Sequence, residues 1–86
     1  MMNGPCKAAD LDIRTVGDEV LVHHPSAQKV HILNRTAGQI LELCDGIRSQ
    51  DEIVDSICRD TGAQRVLVSQ DVAQMIGDFT KLGLVS

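Results

Sequence analysis

The hydrophobic rhythm of the chain changes once, at Leu33. Before it lie short stretches rich in β-branched residues, Leu11 to Thr15, Glu19 to His23 and Lys29 to Leu33, which read as strands. The breaks between them, Gly17-Asp18 and Pro25-Ser26-Ala27, carry turn residues, so the strands form an antiparallel meander in which order in space follows order in the chain. After Leu33 the apolar spacing becomes about 3.6. Asn34 can cap a first helix with Ala37, Ile40, Leu41 and Cys44 on one face and Asp45-Gly46 as its stop. Ser49 and Glu52 form a capping box for a second helix that buries Ile53, Val54, Ile57 and Cys58 and ends at Thr61-Gly62. A third helix begins near Ser69, spaces Val72, Met75, Ile76, Phe79 and Leu82 along a face, and stops at Gly83, after which Leu84 and Val85 tuck back. Val66-Leu67-Val68 fits either a short strand or an apolar lead into that helix, and the segment from Ala63 to Val68 is read as a loop.

This pattern predicts an α+β domain over residues 10–86, a three-stranded antiparallel sheet followed by three short helices. Residues 1–9 show no periodicity and carry Asn3, Gly4 and Pro5, so they are expected to form a frayed, disordered leader. A chain of 86 residues has room for one core, and 43% hydrophobic residues suffice to fold it. Phe79 is the sole aromatic residue, which makes the core thin and points to a monomer or weak homodimer.

A net charge of -4 argues against a nucleic-acid partner, because phosphate neutralisation needs clustered Lys and Arg. No apolar run is long enough for a signal peptide or a membrane span, and the odd set Cys6, Cys44 and Cys58 lacks the spacing of a disulfide framework. A reduced, cytoplasmic setting without a membrane partner is the expectation. His23 and His31 fall on neighbouring strands where they could approach each other, yet no Cys-x-x-Cys or His-x-x-x-His spacing accompanies them, so they read as partly exposed strand residues and no metal or other cofactor is expected. Cys44 and Cys58 lie in apolar stripes and read as small buried hydrophobes. There is no Gly-rich phosphate loop, no G-x-S-x-G and no nucleophile beside an evident base, so the chain offers catalysis no foothold.

What remains is surface. The last strand of a meander presents an unpaired row of N–H and C=O groups, and Lys29, Val30, His31, Ile32 and Leu33 include no proline and little charge to protect it. Such an edge invites pairing with a peptide strand, with a second copy of the chain, or with a covering helix.

The run from Leu33 to Gly46, L-N-R-T-A-G-Q-I-L-E-L-C-D-G, resembles the L-N-x-T-A-x-x-I-L-x-L-x-D-G signature of the PqqD family. The S-x-x-E-I opening at Ser49, Asp71-Val72 and the closing L-G-L-V at Leu82 to Val85 agree with it, so the resemblance covers Leu11 to Val85. PqqD-like proteins are RiPP recognition elements, and the resemblance implies a winged-helix-like fold without catalytic activity. It implies a peptide chaperone that binds the leader of a ribosomally made precursor peptide and presents it to a radical SAM modifying enzyme, in the PqqD case for pyrroloquinoline quinone biosynthesis. The leader would add as a strand to Lys29, Val30, His31, Ile32 and Leu33, beside the third helix. On that helix Val72, Ile76 and Phe79 centre the core stripe, and Asp71, Met75, Asp78 and Leu82 run along one shoulder, the expected groove wall. Two other readings compete: a winged-helix regulator binding DNA, which the acidic residues of helix three disfavour, and a dimerisation domain using the same edge.

Overall fold

The computed structural model describes residues 4–86. Strands β1 (Asp12–Val16), β2 (Glu19–His24) and β3 (Lys29–Asn34) form an antiparallel sheet in the order β1-β2-β3. Gly17 turns the first hairpin at φ 61, a conformation that suits a residue without Cβ. The second connection is one 3-10 turn, Pro25–Ala27, closed by Gln28, whose N–H donates to the Pro25 carbonyl at 3.0 Å.

Register decides which side chains meet the helices. Val22 lies opposite Ile13 on one flank and His31 on the other, and Val20 lies opposite Thr15 and Leu33. Val20, Val22 and His24 are buried, so His31 and Leu33 share their helix-facing side, while Val30 and Ile32 point the other way and are 62% and 63% exposed. His23 lies opposite Val30 on this outer face, so His23 and His31 do not approach each other as the sequence allowed.

Three helices follow: α1 (Arg35–Leu43), α2 (Gln50–Thr61) and α3 (Arg65–Lys81). Asn34 ends β3 and caps α1 in the same residue, its Oδ1 accepting from the Ala37 N–H at 2.8 Å. No loop intervenes, so the direction of the edge strand is tied to that of the helix. The Asp45 carboxylate then accepts from the Ile47 and Arg48 N–H groups, both at 2.9 Å, which bends the chain toward α2 and holds the carboxyl below its ordinary value. Ser49 and Glu52 close the capping box, and Gly62 ends α2 in the left-handed conformation.

The third helix begins at Arg65, and the segment read as a loop supplies its first turn. Val68, Val72 and Phe79 are buried along it, one stripe that starts a turn earlier than a beginning at Ser69 allows. Val66 and Leu67 remain exposed, and the Arg65 guanidinium pairs with Asp55 of α2. Leu82, spaced as a core position, is 46% exposed, because α3 ends beneath it and Gly83 reverses the chain so that Leu84 and Val85 enter the core instead.

The frayed-leader reading of residues 1–9 does not hold for residues 5–8; residues 1–3 lie outside the described residues. The Pro5 carbonyl accepts from Gly46 N–H, Lys7 N–H donates to Cys44, Ala8 N–H donates to Leu84, and Cys6 and Ser86 exchange both bonds. The segment is held through its main chain, which leaves no mark in side-chain periodicity. The core it closes centres on Phe79, Ile40, Leu41, Ile53, Val22, Val54 and Leu84. Among the described residues no helix is long and apolar enough to cross a membrane, and no three His, Cys, Asp or Glu side chains are grouped to hold a metal ion.

Candidate peptide-binding groove

Among the described residues β3 has one paired and one free side. It packs on β2 and α1, while α3 packs on α2 and α1. β3 and α3 therefore flank α1 with little direct packing between them, and α1 forms the floor of the gap. A cavity of about 360 Å³ opens there, walled by Asn34 at the end of the strand, by Thr36, Ala37 and Ile40 of α1, and by Asp71, Gln74 and Met75 of α3. A second cavity, about 190 Å³, shares Thr36, Ile40 and Asp71 and continues past Val68 and Val72 toward Ile57 and Ala63.

Of the expected shoulder, Asp71 and Met75 line this cavity, which settles that their side of α3 faces α1 and the strand end. Asp78 and Leu82 continue the same face but line neither cavity. Lys29, Val30, His31, Ile32 and Leu33 do not line them either; they form the free edge, which the cavity meets at Asn34. Asn34, Thr36 and Gln74 are wall residues that the sequence reading left out. Gln74 stands three residues after Asp71 and one before Met75, a helical spacing that could have marked it.

Ion pairs with Lys or Arg engage four of the acidic side chains. Lys7 pairs with Glu42, Arg14 with Asp12, Arg48 with Asp45 and Arg65 with Asp55. Among the described residues Asp71 and Asp78 have no cationic partner, which leaves α3 with two free carboxylates on its groove side.

Some other polar groups of the sheet are locally engaged. His24 is buried at the end of β2, with Nε2 3.4 Å from Asp10 Oδ1. The Ser26 hydroxyl donates to the other oxygen of Asp10 and holds that carboxyl below its ordinary value. Serine, histidine and aspartate are thus neighbours, yet the serine proton is directed to the carboxylate rather than to imidazole, unlike a nucleophile with its base. Among the described residues His31 Nε2 is buried without a hydrogen-bond partner. Burial pushes the Cys44 thiol up to about 11, and its Sγ donates to the Ile40 carbonyl, so it serves as a packing group. A larger cavity of about 460 Å³ lies across α1, between β1 and the end of α2, where Gln39 bonds Asp60 at 2.6 Å.

Comparison with known proteins agrees with this geometry. The solved structure "TbiB1 in Complex with the TbiA(beta) Leader Peptide" is similar over 94% of each chain, with a TM-score of 0.80 and 21% sequence identity, a likeness of fold. No curated protein matches the sequence. The sequence model of the family described as Coenzyme PQQ synthesis protein D (PqqD) matches residues 19–85, from the start of β2 to the buried Val85. With the match spanning the edge strand, the capping asparagine and all three helices, the chain belongs to the PqqD family.

Proposed function

We propose that this protein is a non-catalytic peptide chaperone that takes the leader of a ribosomally synthesised precursor peptide as a fourth strand on β3 and presents it to a radical SAM modifying enzyme, in pyrroloquinoline quinone biosynthesis or a related pathway. The observation that carries the reading is the free β3 edge beside a gap whose far wall is α3. Strand addition supplies main-chain hydrogen bonds along such an edge, and the neighbouring cavities supply side-chain selectivity. Family membership supports the same reading, as does a fold shared with a protein solved in complex with a leader peptide.

Titration of isotope-labelled protein with the leader of a precursor encoded beside its gene tests it. Amide shifts should be largest at Lys29, Val30, His31, Ile32 and Leu33 and extend to Asp71 and Met75. Shifts confined to the β1 edge or to α2 would remove the site, and no binding to any adjacent precursor would remove the function.

A further inference from the structure

The groove carries information about its peptide, on the reading that β3 accepts a strand. Asp71 borders both cavities, and Asp78 lies two turns further along the same face, a rise of about 10 Å. Both carboxylates lack a cationic partner among the described residues, as do Asp18, Glu19, Asp51, Glu52 and Asp60, but only Asp71 and Asp78 of these lie on α3. Met75 lies between them and lines the larger of the two cavities. On the strand side, Val30 and Ile32 expose aliphatic surface on the face away from the helices.

We propose that the peptide this groove selects is a basic-apolar-basic strand: Lys or Arg at two positions four residues apart facing Asp71 and Asp78, and an aliphatic side chain midway between them facing Met75. Alternate positions, pointing to the other face, carry β-branched or aliphatic residues beside Val30 and Ile32. The spacing follows from strand geometry. Positions i and i+4 lie about 13 Å apart on one face, and the flexible stems of Lys and Arg close the difference from the carboxylate spacing. The pattern reads the same in both directions, so it holds whether the peptide runs parallel or antiparallel to β3. Cross-strand neighbours on the outer face contribute by apolar contact, and the paired charges contribute selectivity and attraction at long range.

The test uses the full chain, isotope-labelled, with three synthetic peptides capped at both ends. One has the core Lys-Val-Leu-Val-Lys between threonines, the second carries Glu in place of both Lys, and the third Gln. The Lys peptide should shift β3 amides and bind about tenfold more tightly than the Glu peptide, with the Gln peptide between and the difference shrinking in high salt. In the Asp71→Lys variant, whose fold is checked by its amide dispersion, the order of the Lys and Glu peptides should narrow or invert. Equal binding of all three at β3 overturns the charge rule and leaves strand addition standing. An unchanged preference in Asp71→Lys also overturns it. Failure of every designed peptide while the genomic leader binds β3 overturns this inference alone, whereas shifts only outside β3 with every peptide, the genomic leader included, overturn the proposed function as well.

Discussion

Gly38 of α1 lies directly against Val20 of β2: a Cβ built on the glycine falls 2.5 Å from Val20 Cγ2 and 2.8 Å from its Cβ. Mid-helix glycine costs about 1 kcal/mol relative to alanine, so it is kept here for proximity. Val20 is β-branched and sits on the central strand, where it cannot rotate away. Gly38→Ala should therefore destabilise the protein by roughly 1–3 kcal/mol through overpacking, read as a lower urea midpoint at unchanged slope. Adding Val20→Ala should cost less in that background than in the parent.

Gly77 in α3 is the opposite case. A Cβ there meets nothing within 4 Å. Gly77→Ala should raise stability by about 0.5–1 kcal/mol by removing freedom from the unfolded chain, visible as a higher thermal midpoint. A loss instead would mean that α3 needs the glycine for a bend.

Asn34 joins the edge strand to α1. Replacing it with alanine leaves the Ala37 N–H without its acceptor and should cost about 1 kcal/mol, whereas Asn34→Asp keeps the cap and most of the stability. Chemical denaturation of both variants separates the cap from the side chain's place in the cavity wall.

Cys44 sets an alkaline limit. Its thiol is shifted by burial from the ordinary 9.0 to about 11 in the folded state, so the folded chain holds this proton over a pH range where the unfolded chain releases it. Stability from this residue is complete below about pH 9 and declines as pH rises toward about 11. Urea titrations across that interval should show the fall, and Cys44→Ala should flatten it. Iodoacetamide at pH 8 should modify Cys6 and Cys58, both half-buried, well before Cys44.

Asp45 acts at the other end of the scale. Its carboxyl lies below the ordinary 3.8 because the N–H groups of Arg48 and Ile47 donate to the charged form. The folded chain is then the weaker proton binder, so this contribution is present above about pH 4 and disappears as pH falls through the lowered value. Asp45→Asn should destabilise at neutral pH and show a shallower acid dependence below pH 4, as followed by circular dichroism.

Much of the architecture is local and therefore legible in one dimension. The capping box at Ser49 and Glu52, the asparagine cap at Asn34 and the glycine stop at Gly62 form in the structure as side-chain spacing predicts. Two departures share a cause. Val66 to Val68 reads as non-helical because three β-branched or aliphatic residues in a row obscure a period of 3.6, and the helix there is decided by burial of Val68 and the ion pair from Arg65 to Asp55. The segment from Pro5 to Ala8 is held by main-chain bonds that any sequence can make.

The candidate site divides along the same line. The outward placing of Val30 and Ile32 is decided by packing, because Val30 to Leu33 offers apolar or weakly polar residues to both faces; the edge position of the third strand is a property of strand order, and the sequence carries it. That Asp71 and Met75, with Gln74, form a wall opposite Asn34 and Ala37 is not, because a helical wheel fixes angles about one axis and is silent on its rotation against a neighbour. Only the packing of α3 on both α1 and α2 selects that rotation, since it must bury Val72 and Phe79 together. The sequence by itself determined that β3 lies at an edge of the sheet; the tertiary structure decided which face of α3 stands across from it.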